Sequence, residues 1–194
     1  MNIPSEVISR FEAAMQAAQL AHEPEPTAMS LATSTTDGKI SVRTMLRKDF
    51  DAKGFVFYTN TQSIKGLQIA QHPHAALCIL WKAIFRQVLV EGKVESVTEA
   101  EADTYFASRP RDSQIGAWAS AQSEVLDSRE VLERRVRDFE QKFIGKDVPR
   151  PPYWSGYRLV PDMIEFWYGQ KSRLHDRFRF TLRDGEWLRK RLYP

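Results

Sequence analysis

Ala28-Met29-Ser30-Leu31-Ala32-Thr33-Ser34, Thr36-Asp37-Gly38 and Ile40-Ser41-Val42-Arg43-Thr44-Met45-Leu46-Arg47 decide the fold of this 194-residue chain. Two strand-like runs flank an Asp-Gly turn. A second turn near Asp51 to Gly54 leads directly into another run, Phe55 to Tyr58. Strand follows strand with no helix between them, which specifies an antiparallel meander and not a βαβ series.

Upstream, Val7, Ile8, Phe11, Ala14, Met15 and Ala18 recur at helical spacing, so residues 4–21 read as an amphipathic helix with Ser5 as its N-cap, ended by Pro24 and Pro26. Downstream, a short helix from Ser63 to Gln71 precedes strands from Ala75 to Trp81 and Gln87 to Val97. Helical stretches are expected at 99–107, 112–120 and 128–144. Pro149-Arg150-Pro151-Pro152 then leads into strands near 156–168, 174–182 and 186–192, the last two joined by the hairpin signal Asp184-Gly185. The pattern predicts an α+β fold: an antiparallel barrel of roughly six to eight strands with peripheral helices. One domain spans residues 1–194, comprising the N-terminal helix, a helical insertion at about 98–145 and C-terminal strands at 153–194.

With 42% hydrophobic and 27% charged residues the chain suits one sizeable core. No apolar run approaches a membrane span, and the N-terminus lacks the pattern of a signal peptide, so a cytoplasmic protein with no membrane partner is expected. Cys78 is the only cysteine; it excludes an internal disulfide and reads as small apolar filling. The net charge of +3, with acids and bases interleaved, argues against a nucleic-acid partner. The C-terminus is the exception, where Arg173, Arg177, Arg179, Arg183, Arg189, Lys190 and Arg191 crowd together as a solvated face or a surround for phosphate.

His22, His72, His74 and His175 have no metal-ligand spacing, and neither a nucleophile elbow nor a Gly-rich phosphate loop occurs. What remains is a set of cations from separated segments: Arg43, Arg47, Lys48, Lys65, Arg86, Arg109, Arg111, Arg173 and Arg177. Guanidinium and ammonium groups suit phosphate, and this number would serve two phosphorylated ligands. Near the C-terminus, Ile164-Glu165-Phe166-Trp167 is followed by Arg173-Leu174-His175-Asp176-Arg177. If the second block is extended, alternation places Arg173, His175 and Arg177 on one face.

Arg43 to Lys48, Phe57-Tyr58-Thr59-Asn60, Arg86-Gln87-Val88, Tyr105-Phe106, Ser108 to Trp118, Gln122-Ser123 and the two C-terminal blocks together resemble the pyridoxine (pyridoxamine) 5′-phosphate oxidase family, in order from about Thr27 to Pro194. The resemblance implies a split-barrel flavoprotein, a homodimer with FMN at the subunit interface. It further implies oxidation of pyridoxamine or pyridoxine 5′-phosphate by oxygen, with release of hydrogen peroxide. Carried over residue by residue, it places FMN contacts on Arg43, Lys48, Tyr58, Thr59, Lys65, Gln87, Gln122, Ser123, Trp167 and Arg177. Substrate contacts fall on Lys48, Tyr105, Arg109 and Ser113, and Arg173 and His175 are placed as catalytic residues beside the reacting carbon.

The chain departs from the family where Ile64 stands in place of a frequent Arg, which is expected to weaken FMN binding unless Arg47 or another cation compensates. Tyr168 is a smaller deviation. The basic N-terminal extension of many members is expected to be missing. A phenazine-biosynthesis-type flavin oxidase is the enzymatic alternative, disfavoured by the retained Arg109, Ser113, Arg173 and His175. A non-catalytic flavin or vitamer carrier is an alternative from another class.

Overall fold

The computed structural model describes residues 2–194. Helix α1 (Ser5–Leu20) comes first, followed by strands β1 (Ala28–Ser34), β2 (Ile40–Leu46), β3 (Asp49–Asp51) and β4 (Gly54–Asn60). Then come α2 (Ile64–Gln71), β5 (His74–Trp81) and β6 (Arg86–Ser96), and the helical insertion α3 (Glu99–Ala107), α4 (Arg111–Ala119) and α5 (Arg129–Lys142). The chain closes with β7 (Trp154–Tyr168), β8 (Asp176–Arg183) and β9 (Glu186–Leu192). Among the described residues no helix is long and apolar enough to cross a membrane.

The strands form one antiparallel sheet in the order β2-β1-β5-β6-β7-β4-β3. Only Arg47 and Lys48 separate β2 from β3 at the two ends of this path, so the path returns on itself and the sheet curls into a barrel. Strand β7 spans both parts of the molecule. One of its edges pairs with β6 along nearly its whole length, while its other edge is shared, first by β4 (Trp154 to Leu159) and then by β8 (Met163 to Tyr168). The change of partner coincides with a bulge between Glu91 and Gly92 opposite Pro161. Pro161 has no N–H to offer a regular ladder, and a Cβ on Gly92 would meet the Val160 carbonyl oxygen at 2.1 Å.

Helix α1 packs its apolar stripe, Val7, Phe11, Ala14, Met15 and Ala18, on the barrel. Phe11 is its anchor, with ring centroids 4.4 Å from Phe50, 5.2 Å from Phe55 and 5.8 Å from Trp81. Burial of a side chain such as Phe11 or Val7 contributes roughly 1.5–3 kcal/mol. A second core of Phe106, Ile115, Phe143, Val148 and Trp154 joins the helical insertion to the start of β7.

Three local expectations change. Ser5 is the first helical residue of α1, not its cap; Pro4 holds the cap position without a side-chain hydrogen bond. Cys78 lies half-buried on the outer side of β5 rather than in the core, with burial raising its thiol pKa. The segment at 174–182 is not extended throughout: residues 171–173 form a 3₁₀ turn, Ser172 and Arg173 take φ of 58° and 62°, and β8 starts only at Asp176. Alternation therefore does not place Arg173 and His175 on the Arg177 face.

Candidate functional site

The barrel is split where β2 leaves β3. Strand β3 stays on β4 from Asp49 to Asp51, and the Lys48 amide still donates to the Val56 carbonyl at 2.8 Å. β2 pairs instead with β1, so among the described residues the edge of β4 beyond Val56 has no strand beside it. A cavity of about 840 Å³ occupies this opening, closed on the far side by α3, α4 and the segment after α4. Arg43, Lys48, Lys65 and Arg109 are among its lining residues, and no Asp or Glu is. Four cations around one cavity without a carboxylate form a site for an anion.

Its inner end is built on β2, β4 and α2. Arg43 donates to the Leu31 carbonyl (3.2 Å) and to Thr33 Oγ1 (2.6 Å), and burial lowers its pKa. Lys65 is only 6% exposed, and its Nζ donates to Thr59 Oγ1 and Ser63 Oγ, both at 3.2 Å. Burial, aided by the Arg43 charge, pushes Lys65 down to about 8. Ser63 caps α2 by accepting from the Gly66 amide. Thr59 Oγ1 donates to Gln122 Oε1 (3.1 Å), and Ser123, at φ 78°, accepts the Ile64 amide (3.3 Å). The β4 end, the start of α2 and the segment after α4 are thus tied together around Lys65. Ile64 is a half-exposed apolar residue on the cavity wall.

The other end lies between β4 and the helical insertion. Tyr58 stacks on Tyr105 at 4.0 Å and on Trp154 at 5.4 Å. The Arg109 guanidinium sits over Trp154 at 4.8 Å, and its Nη1 is buried with no hydrogen-bond partner among the described residues. Burial lowers its pKa. Ser113, on the first turn of α4, and Lys48 complete the group. Gln114 donates to the carbonyls of Phe106 (3.0 Å) and Ala107 (3.2 Å), which fixes α4 against the end of α3 and thereby the turn that carries Arg109.

Ten of the expected residues therefore meet in one cavity: Arg43, Lys48, Tyr58, Thr59, Lys65, Tyr105, Arg109, Ser113, Gln122 and Ser123. Gln87, Trp167, Arg173, His175 and Arg177 do not line it; Gln87, Trp167, His175 and Arg177 form a second group instead, and Arg173 is exposed in the 3₁₀ turn before β8. Gln87 pairs in register with Trp167, and Trp167 with Arg177. The His175 ring lies 4.4 Å from Trp167. His175 Nδ1 accepts the Gln170 amide (3.1 Å), which leaves Nε2 to carry the proton of the neutral ring. Arg177 donates to Glu165 Oε1 (2.7 Å) and to the Tyr193 carbonyl (3.1 Å). Burial disfavours the charge on Glu165, but hydrogen bonds from Arg177 and Arg179 outweigh it and hold the carboxyl below its usual range.

Arg47 does not compensate for Ile64: its guanidinium lies over Phe11 at 5.3 Å, away from the cavity lining. Arg111 is structural, donating to the carbonyls of Lys146 and Phe143, and Arg86 lies over Tyr168. Sequence reading missed Trp154, Ser41 and Met45. Ser41 and Met45 share the Arg43 face by alternation and were detectable; Trp154 has no local signal, because its ring meets Tyr58 and Arg109 only through the tertiary fold.

Residues 15–143 match the family described as pyridoxamine 5′-phosphate oxidase, and residues 154–194 match the pyridoxine 5′-phosphate oxidase C-terminal dimerisation region. A pyridoxine/pyridoxamine 5′-phosphate oxidase of Myxococcus xanthus (strain DK1622) is 55% identical over 192 residues, covering 99% of this chain and 93% of the relative. Among solved structures, PhzG from Burkholderia lata 383, in complex with tetrahydrophenazine-1-carboxylic acid, superposes with a TM-score of 0.93 at 32% identity, covering 98% of this chain and 94% of that one. A pyridoxamine 5′-phosphate oxidase-related, FMN binding protein from Nostoc punctiforme PCC 73102 has a TM-score of 0.76 at 16% identity over the full length of both chains, which shows a shared fold.

Proposed function

Because the chain belongs to the pyridoxamine 5′-phosphate oxidase family, we propose that it oxidises pyridoxamine 5′-phosphate or pyridoxine 5′-phosphate to pyridoxal 5′-phosphate, with FMN as cofactor and oxygen as final acceptor. From the amine, one O₂ and one water are consumed and ammonia and hydrogen peroxide released; from the alcohol, O₂ is consumed and hydrogen peroxide released. The observation that carries the reading is the cavity in the barrel split, with four cations, no carboxylate and a buried guanidinium N–H without a partner. Such a donor set fits two phosphate monoesters. Both ligands are charged and retained by membranes, which favours a cytoplasmic site of action.

In this reading Arg43 and Lys65, with Thr59, Gln122 and Ser123, hold the FMN phosphate, and Tyr58 borders it. Lys48, Tyr105, Arg109 and Ser113 hold the substrate phosphate. When bound, FMN supplies the two-electron acceptor chemistry. Arg173 and His175 act at the other end of the substrate: Arg173 orients the pyridine ring, and His175 Nε2 holds or moves a proton at the amine- or alcohol-bearing carbon. The left-handed backbone of Ser172 and Arg173 costs about 1 kcal/mol or more per residue, and such strain concentrates at functional positions.

The second group must reach the cavity of another copy, because within one chain it does not line the cavity. A homodimer supplies that copy. The outer face of the sheet suits the contact: Val42, Ala32 and Ala76 lie in register across it, as do Thr44, Ser30, Cys78 and Leu89, and this small, largely apolar surface stays half-buried or exposed in the single chain. Gln87 and Trp167 flank the same face, so covering it with a second copy brings them to the partner's split.

Aerobic incubation of purified protein with FMN and pyridoxamine 5′-phosphate should yield pyridoxal 5′-phosphate and an equal amount of hydrogen peroxide. Absence of both products with flavin bound would overturn the reading. The close superposition on PhzG supports a second one, oxidation of a reduced phenazine carboxylic acid; turnover of that substrate in preference to the vitamer would establish it.

A further inference from the structure

We infer that Trp154 is a positioning residue that holds the Arg109 guanidinium ready for the substrate phosphate. This rests on the reading of the cavity as a vitamer-phosphate site. Three observations meet at this pair. The guanidinium lies 4.8 Å from the Trp154 ring centroid and 5.6 Å from that of Phe106. It makes no ion pair among the described residues, and its Nη1 is buried with no partner. Trp154 is itself 6% exposed and immobilised from several directions.

The immobilisation is built from the sequence around it. The Trp154 amide donates to the Pro151 carbonyl (3.0 Å), so the proline-rich linker delivers the residue in a turn at the start of β7. Arg150 donates to the Trp154 carbonyl (2.7 Å) while paired with Asp103 and Glu99 of α3, which locks the strand start to the insertion. The ring then stacks on Tyr58 (8° between planes) and meets Phe106 edge-on at 5.0 Å.

The chemistry favours this over a carboxylate partner. A carboxylate beside Arg109 would orient it but would neutralise the charge and occupy the N–H groups that phosphate needs. An aromatic platform attracts the cation through its π face and leaves the in-plane N–H fork unused. The arginine is held before substrate arrives, and less conformational entropy is lost on binding.

The experiment compares flavin-loaded wild type, Trp154→Leu, Trp154→Phe, Arg109→Ala and the Trp154→Leu/Arg109→Ala double variant. Trp154→Leu should raise KM for pyridoxamine 5′-phosphate and the Kd for pyridoxal 5′-phosphate by about tenfold, with the loss in KM rather than kcat. Trp154→Phe, which keeps a smaller π face, should recover most of that affinity. In the Arg109→Ala background, Trp154→Leu should add less than about twofold, and the KM for pyridoxamine lacking phosphate should not follow the series. A merely structural role would lower the melting temperature and raise both KM values alike. If Trp154→Leu does not fold, the same coupling and phosphate dependence must appear, at about two- to threefold, with Trp154→Phe. Additive effects or an unchanged KM overturn the inference while leaving the oxidase reading intact; failure of wild type to bind FMN or oxidise the vitamer overturns the oxidase reading itself.

Discussion

The barrel split and the C-terminal hairpin are both rich in cations, yet they use them in opposite ways. In the split, Arg43, Lys48, Lys65 and Arg109 line a cavity without a carboxylate, and Lys65 and Arg109 pay for burial with lowered pKa values. In the hairpin, Arg177 and Arg179 share Glu165, Arg189 pairs with Glu6 and Arg191 with Asp176. Arg189 and Arg191 also cover the Phe178 ring at 5.0 and 5.5 Å. Pairing, not the number of cations, separates a ligand site from a structural surface. Of the two readings of the C-terminal basic run, a solvated face or a surround for phosphate, four of its seven members, Arg177, Arg179, Arg189 and Arg191, fit the first through ion pairs; Arg173, Arg183 and Lys190 are exposed and outside any ion pair among the described residues.

The contrast breaks most visibly at Arg173 and His175, just before the hairpin. His175→Ala and Arg173→Ala should each lower kcat of the flavin-saturated enzyme by roughly 100-fold or more, with a smaller change in KM. Steady-state kinetics that leave kcat untouched would remove both residues from the reaction.

Glu165→Gln probes the paired cations. Two guanidinium groups would lose their buried counter-charge, costing about 3 kcal/mol and lowering Tm by roughly 6–12 °C. The folded pKa of Glu165 lies below its ordinary 4.5, so its contribution is present above that pH and is lost as pH falls through the folded value. Thermal melts should show the difference between wild type and variant shrinking below about pH 4.5. A gap that persists at low pH would mean packing, not charge, holds Arg177 and Arg179.

Lys65→Met tests the unpaired set. Loss of one charged hydrogen-bond donor should weaken FMN about 10- to 100-fold in flavin-fluorescence titrations while leaving riboflavin nearly unchanged. Lys65 titrates at about 8 in the unliganded cavity, and a phosphate beside it raises that value again. FMN binding then takes up a proton above pH 8, and affinity should fall by up to about tenfold per pH unit there. The variant should lose this slope; equal slopes in both proteins would place the proton elsewhere. Ile64→Arg, at the exposed rim, should have the smallest effect, tightening FMN a few-fold because solvent screens the added charge. No change in affinity would show that Arg43 and Lys65 already satisfy the phosphate.

By itself the sequence determined the antiparallel direction of the strands, the Asp-Gly turns, the helical insertion and the chemical identity of the cations. Each of these depends on residues within a few positions of one another, where alternation, helical spacing and turn chemistry operate. It did not determine the strand order: β2 pairs with β1 alone and β4 with β3 and β7, so the expected meander does not form. Nor did it determine which cation faces which partner. Arg43 and Arg47 fall in one strand-like run of the sequence at positions that alternation makes equivalent, yet β2 ends at Leu46, which leaves Arg43 in the cavity and Arg47, in the link to β3, on Phe11 of α1. Arg173 and His175 read as strand residues until two left-handed residues turn the chain before β8. Trp154, between the proline-rich linker and the strand expected from 156, carries no local signal until the insertion brings Arg109 onto its ring. These outcomes depend on contacts between residues far apart in the chain, which only the closed barrel and its packed helices bring together.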